Sequence, residues 1–211
     1  MIDRINKREA ARYMGARGEI PETIKNLLDD CERELLSALD IKYTWRPLDL
    51  PFDEIMGGAD IENHLSGCEK AVLLCATLGS GVDLLIRRYS IAQMDRAVVR
   101  AALASAAIEQ VCDKVDEMIH AAFNEYFPTW RFSCGYGDYP IEKQGVFLKI
   151  LDAPRKIGVC TAQSCALEPS KSVTAIIGLS KNQPERKRRG CAGCNMKEIC
   201  RYRKDGLRCE L

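Results

Sequence analysis

The sequence predicts an α+β fold in which a mixed or antiparallel sheet is flanked by long helices. Segments with apolar residues at helical spacing are interspersed with separated apolar or β-branched runs of strand length. The two kinds of segment do not alternate regularly, as they would in a parallel α/β sheet. We expect one domain over residues 1–180, followed by a basic linker and a Cys-rich tail over residues 181–211.

Long helices are predicted in the first half of the chain. In residues 21–39, apolar side chains recur at spacings of three and four, and Pro21 suits the first helical turn. Much of residues 81–127 is also predicted to be helical, and its alanine-rich part, residues 97–106, would let another element pack closely. A shorter helix is predicted over residues 140–151.

Strands are predicted where apolar or β-branched residues form short runs. Residues 71–77 are continuously apolar, which indicates a buried strand, and residues 172–179 are dominated by β-branched side chains. Residues 42–51 and 129–133 begin with aromatic and β-branched residues and are further strand candidates.

Composition narrows the class of protein. With 46% hydrophobic residues, the 211-residue chain can bury a substantial core. The 31 basic and 30 acidic residues nearly cancel, which argues against nucleic acid as the main partner. The N-terminus is charged from its first residues, and no apolar run is long enough to span a bilayer. We therefore expect a cytoplasmic protein with no membrane partner.

Four short features follow one another in the second half of the chain. They are RFSCGY at residues 131–136, GDYP at 137–140, Ser164 ahead of EPSKSV at 168–173, and the strand TAIIGL at 174–179. Together they resemble the activation domain of vitamin B12-dependent methionine synthase, whose S-adenosylmethionine site centres on an Arg-x-x-x-Gly-Tyr motif. The ordered set is more specific than any one of these short motifs.

The resemblance covers roughly residues 131–179, with a looser helical match over residues 97–119. The chain resembles a short, stand-alone branch of that family. It has Ala162-Gln163-Ser164 where the family usually has Thr-Glu-Ser. The family also has an aromatic ligand contact beyond the Ser-Val strand, which has no counterpart here, so the far side of the pocket is unassigned.

The resemblance implies a set of residues that bind S-adenosylmethionine. Arg131 would pair with the α-carboxylate, because a guanidinium offers two parallel charge-assisted hydrogen bonds. Gly135 would allow a positive φ or a close approach of the ligand, and Tyr136 would offer a ring face and a hydroxyl. Ser164 and Ser172 complete the carried-over set.

The ammonium group of the ligand needs an acidic partner. The helical match places Glu109 where the family has an acidic ligand residue. Asp113 and Glu117 lie on the same helical face and are alternatives to Glu109.

The function implied by the resemblance is the reactivation of a cobalamin-dependent methyltransferase such as methionine synthase. The domain would bind S-adenosylmethionine, dock on a cobalamin-binding methyltransferase subunit and present the methyl group to the cobalt. The oxidised cobalamin would also gain an electron, from a flavodoxin or ferredoxin-type donor. The domain would contribute positioning and electrostatics, so no residue is predicted to be catalytic. His64 and His120 are predicted to be structural.

The end of the chain predicts a metal site. The chain has 11 cysteines and no export signal, which argues against a disulfide framework. Cys191, Cys194, Cys200 and Cys209 lie within 19 residues and are surrounded by Arg and Lys. Four thiolates suit either zinc or an iron–sulfur cluster. We favour the cluster, because reactivation of a corrinoid needs an electron.

Two alternative functions belong to other classes. The chain could be an iron–sulfur electron-transfer activator of a corrinoid protein, with a degraded S-adenosylmethionine pocket. It could instead be a zinc-stabilised scaffold protein. Thiolate-to-iron absorption separates these two alternatives, and ligand binding through Arg131 separates the first hypothesis from both.

Overall fold

A computed structural model describes residues 1–16 and 19–183. The helices are α1 (Lys7–Tyr13), α2 (Glu22–Ala38), α3 (Ala59–Leu65), α4 (Ser80–Ala92), α5 (Met94–Ala122), α6 (Lys143–Leu151) and α7 (Ala153–Ile157), with a 3₁₀ turn at Asp53–Ile55. The strands are β1 (Lys42–Asp49), β2 (Lys70–Thr77), β3 (Phe127–Pro128), β4 (Cys160–Thr161), β5 (Leu167–Glu168) and β6 (Ser172–Ser180). Within these residues, no helix has the length and apolarity needed to cross a membrane.

The main sheet is antiparallel and has four strands in the order β1-β2-β6-β3. Strands β4 and β5 form a separate two-stranded hairpin. The predicted α+β class and the antiparallel alternative for the sheet are confirmed.

Helices cover both faces of the sheet. Val72 and Leu74 of β2 pack in a core that includes residues of α5, whereas Leu73 and Cys75 pack in a core that includes residues of α6. Successive side chains of a strand point to opposite faces, so a central strand between two helical layers is apolar at every position. This arrangement explains the continuous apolar run from which β2 was predicted.

The helical region predicted over residues 81–127 consists of two helices. Gln93, with φ −151° and ψ 80°, ends α4 and precedes the first residue of α5. Helix α5 then continues for 29 residues. One long helix therefore carries all the acidic residues that the sequence singled out.

The strand predicted over residues 129–133 is wrong in its extent. Only Phe132 pairs with β6, as an isolated bridge to Ile176. Gly178 donates its N–H to the Thr129 hydroxyl at 2.8 Å, while the Thr129 N–H donates to the Gly178 carbonyl at 2.8 Å. Because a side chain replaces a backbone acceptor, the ladder is interrupted at this position.

A buried arginine fixes α5 against two other helices. The Arg100 side chain is 0% exposed and donates to Glu34 of α2 at 2.6 Å. Its guanidinium lies 3.5 Å from the ring centroid of Tyr89 of α4, and the Tyr89 hydroxyl donates to the same Glu34 oxygen at 2.7 Å. Helices α2, α4 and α5 thus share one polar contact, in which the guanidinium is buried and the Glu34 carboxylate is partly exposed.

Candidate ligand-binding site

Arg131 lies against a row of three carboxylates on α5. Its Nη1 donates to Asp116 at 2.7 Å, and its Nη2 donates to Asp113 at 3.0 Å and to Glu109 at 3.1 Å. The carboxylates follow the i, i+4, i+7 spacing of one helical face. The structure therefore brings together Arg131 and Glu109, the two residues predicted to hold the amino-acid end of the ligand.

The cluster carries an excess of negative charge. Burial lowers the pKa of Arg131, but the carboxylates of Asp116, Glu109 and Asp113 outweigh burial and raise it. Three carboxylates surround one guanidinium, and the Arg131 side chain is only 19% exposed. The local charge is therefore about −2, which favours a cationic ligand.

Two neighbours complete the surroundings of the cluster. Tyr13, the last residue of α1, has a pKa raised by burial and then by the Glu109 carboxylate. Cys112 lies beneath Arg131, where burial raises the pKa of its thiol. A thiol kept protonated in this way is a poor nucleophile and serves as a core residue.

The Gly-Tyr motif forms a tight turn, and Gly135 has the positive φ that the sequence analysis allowed for. Gly135 has φ +88°, and a Cβ at this position would lie 3.1 Å from Ile141 Cδ1, so the turn itself requires glycine. Tyr136 is 67% exposed and presents its ring to solvent. The pair is thus placed on an accessible turn that follows Arg131 directly.

Two side chains anchor this turn to the rest of the fold. The Asp138 carboxylate accepts from the N–H groups of Ala59 and Asp60 at 2.7 and 2.9 Å, at the start of α3. The buried Tyr139 hydroxyl donates to the Ile55 carbonyl at 2.6 Å. Because both contacts are tertiary, the position of Tyr136 depends on the 3₁₀ turn and on α3.

The two predicted serines have different surroundings. The Ser172 hydroxyl donates to the Pro169 carbonyl at 2.6 Å and lies 2.8 Å from the Thr77 hydroxyl, so it joins β6 to β2. Ser164 lies on the exposed turn between β4 and β5. Within the described residues, no hydrogen bond links either serine to the Arg131 cluster, and their role as ligand residues stays a prediction.

Lys171, the residue before β6, makes a tertiary contact with α5. It is half-buried, and its Nζ donates to Ser105 of α5 at 2.9 Å. Ser105 in turn donates to the Ala101 carbonyl at 3.0 Å. Lys171 therefore contacts the same helix that carries the acidic cluster.

Sequence reasoning missed one member of the cluster and included one residue outside it. Asp116 makes the shortest contact with Arg131, and its i+3 spacing from Asp113 was the available signal. Glu117, proposed as an alternative to Glu109, forms its salt bridge with Lys114 at 2.8 Å instead. It lies one residue beyond the face that meets Arg131.

Two surface cavities in the described part of the chain lie away from this cluster. One of about 410 Å³ lies between α6 and β4, and its lining includes Lys149, Asp152 and Cys160. Another, of about 250 Å³, is largely apolar and contains Cys68. We place the candidate site at the Arg131 cluster because its charge and donors match an amino-acid ligand, whereas the cavities hold none of the predicted residues.

The predicted metal ligands Cys191, Cys194, Cys200 and Cys209 lie outside the described residues. Within residues 1–16 and 19–183, no group of three or more His, Cys, Asp or Glu side chains is placed to hold a metal ion. His64 is buried and stacks on Phe132, with ring centroids 4.9 Å apart. The histidine therefore has a packing role in this part of the chain.

Known structures share this fold. The crystal structure of the MetH reactivation domain bound to AdoHcy aligns with the chain with a TM-score of 0.60 and 14% sequence identity. The alignment covers 95% of this chain and 82% of that one. No protein-family profile and no curated protein sequence matches the chain. The protein therefore has the fold of a methionine synthase reactivation domain.

Proposed function

We propose that this protein binds S-adenosylmethionine and supports the reductive methylation of a cobalamin carried by a partner methyltransferase such as methionine synthase. The observation that carries this proposal is the position of Arg131 among three carboxylates on α5. The shared fold with a reactivation domain that binds AdoHcy agrees with it.

The cluster fits the amino-acid end of the ligand. S-adenosylmethionine carries one carboxylate and two cationic groups, the ammonium and the sulfonium. Three of the five guanidinium N–H groups of Arg131 are bonded to α5, so the ligand carboxylate would use the remaining donors or displace an acidic side chain. Glu109 and Asp113 would accept from the ammonium.

The ligand would supply a methyl group, and the chain would supply orientation. Tyr136, on the exposed turn after Arg131, would place its ring near the sulfonium, which a ring face attracts. The partner would be a cobalamin-binding methyltransferase subunit, and a flavodoxin or ferredoxin-type protein would donate the electron. Gly135 and the anchored turn would keep these groups in place without a covalent step on the protein.

Calorimetry with S-adenosylmethionine and the anaerobically purified full chain tests the proposal. We expect one site per chain, and methylation of an added cobalamin protein in the presence of a reductant. Adenosylhomocysteine in place of adenosylmethionine is the control, because it binds without a methyl group to transfer. No binding of either ligand, with or without the cobalamin protein, would overturn the proposal.

The negative charge of the cluster makes a prediction about ligand choice. Asp113→Asn should reduce the preference for adenosylmethionine over adenosylhomocysteine by about two- to fivefold, because only the former has a sulfonium charge and Asp113 is an exposed, screened carboxylate. Dissociation constants at low and high salt measure this effect. Asp30→Asn, in an exposed pair with Arg33 on α2, is the matched control. An unchanged preference would place the sulfonium elsewhere.

The Cys-rich tail is proposed as a metal site on its sequence alone. We expect the protein purified without oxygen to contain bound metal that Cys191→Ser and Cys194→Ser remove. Broad absorption at visible wavelengths, together with iron found by metal analysis, would identify an iron–sulfur cluster. Zinc without such absorption would favour a structural site. Metal-free protein with unchanged stability would refute a metal site.

A further inference from the structure

We propose that Lys171 is a second, specificity-determining element of the same site, and that its ammonium group donates hydrogen bonds to the ribose hydroxyls of the adenosine end of the ligand. This inference rests on the proposed function. It assigns the half of the ligand that the Arg131 cluster does not reach.

The position of Lys171 follows from its contact with α5. Its partner Ser105 lies four residues before Glu109 and eight before Asp113, on one side of the helix. At 1.5 Å per residue, these separations are about 6 Å and 12 Å along the helix axis. Lys171 and Arg131 thus contact one side of α5 at neighbouring positions in its middle part, Lys171 at Ser105 and Arg131 from Glu109 onward.

The face of α5 between the two contacts is accessible to a ligand. Ser105 and Glu109 are partly exposed, and Asp113 is exposed. The neighbouring strand β6 is buried from Thr174 to Ser180, so it offers no edge to a ligand there. An extended ligand would therefore lie along this face of α5.

Lys171 has donor capacity available for a ligand. An ammonium has three N–H donors, and the hydroxyl of Ser105 accepts one of them. Within residues 1–16 and 19–183, Lys171 forms no salt bridge. Burial lowers the pKa of Lys171, and the charge of the Asp83 carboxylate partly offsets that effect. The side chain is therefore held by a neutral partner in a half-buried position.

The charges fix the orientation of the ligand. The amino-acid end of S-adenosylmethionine carries a net positive charge, which the cluster of Glu109, Asp113 and Asp116 favours. The adenosine end is uncharged and rich in acceptors. Because two adjacent positive charges repel, the sulfonium would lie away from Lys171 and toward the carboxylates of the cluster.

Ligand fragments test the inference. Adenosylhomocysteine has both ends, whereas 5′-methylthioadenosine lacks the amino-acid end. We expect Lys171→Met to weaken both ligands by about tenfold, since a hydrogen bond to a charged group is worth about that factor. Arg131→Met should weaken adenosylhomocysteine and leave 5′-methylthioadenosine unchanged. Lys171→Arg should retain most of the affinity, and Lys156→Met, an exposed lysine of α7, is the matched control.

The outcomes separate the two proposals. If the native chain binds adenosylhomocysteine but Lys171→Met binds both ligands as well as the native chain does, the role of Lys171 is refuted and the proposed function stands. If the native chain binds neither ligand, the proposed function itself fails. Should Lys171→Met unfold, Ser105→Ala removes the partner of the lysine and is expected to weaken 5′-methylthioadenosine by a smaller factor.

Discussion

Arg131→Met should weaken the binding of S-adenosylmethionine by at least about 100-fold. The variant loses the donors for the ligand carboxylate, and two hydrogen bonds to a charged group together contribute about 3 kcal/mol or more. It also leaves Glu109, Asp113 and Asp116 without their shared cation. Calorimetry measures the affinity.

The same substitution has a smaller expected effect on stability. Asp116 is 22% exposed, so the loss of its partner should cost about 1–3 kcal/mol in the free energy of unfolding. Urea denaturation therefore accompanies the binding measurement. Arg155→Met, which breaks an exposed pair with Asp152 on α7, is the matched control and should change neither quantity. Arg131→Lys keeps the charge but lacks the planar guanidinium, so its ligand affinity should lie between those of the native chain and Arg131→Met. If Arg131→Met binds the ligand as tightly as the native chain does, Arg131 is not part of the binding site.

Arg100→Met should destabilise the protein by about 1–2 kcal/mol, because it removes a charged hydrogen bond to Glu34, whose side chain is 43% exposed and therefore screened by solvent. The native side chain is 0% exposed, and its loss leaves Glu34 without its cation and the Tyr89 ring without a cation–π contact. Urea denaturation at neutral pH measures this change. Arg33→Met, in an exposed pair with Asp30 on the same helix α2, should lie within about 0.5 kcal/mol of the native value. If Arg100→Met changes the free energy of unfolding by an equally small amount, the contact does not contribute measurably to stability.

The effect of Arg100→Met should depend on pH. The Tyr89 hydroxyl and then the Arg100 guanidinium lower the pKa of Glu34 below its ordinary value of 4.5. A carboxyl with a lowered pKa in the folded state stabilises the fold above its unfolded pKa, and this contribution is lost as pH falls through the folded value. The difference between the native chain and the variant should therefore shrink below about pH 4.5. A difference that grows in acid would contradict this role for Glu34.

Local sequence was sufficient to predict elements in which every side chain lies in a similar environment. The continuous apolar run at 71–77 was enough to find β2, because a strand covered on both faces needs apolar residues throughout. The same reasoning failed at residues 129–133. There the Thr129 hydroxyl takes the place of a backbone carbonyl as the hydrogen-bond acceptor, and residue propensities do not predict such a contact.

The candidate site was predicted in part. Helical spacing placed Glu109 and Asp113 on one face, and the motif singled out Arg131, but the sequence did not show that these side chains contact one another. That contact joins residues about twenty positions apart and depends on how α5 packs against the sheet. The contact of Lys171 with Ser105 is not predictable from local sequence for the same reason, because its polar neighbours indicate a loop while the contact is tertiary.

The unequal burial of α4 and α5 bears on how the molecule fluctuates. Only Val82 is buried in α4, whereas α5 has buried residues from Ala97 to Ile119. Segments with few buried contacts open locally at low free energy, and segments at the core open only when the whole domain does. Ser105, Glu109 and Asp113 therefore belong to the segment that opens last. Because this helix is already ordered, ordering it would reduce the binding free energy of a ligand only slightly.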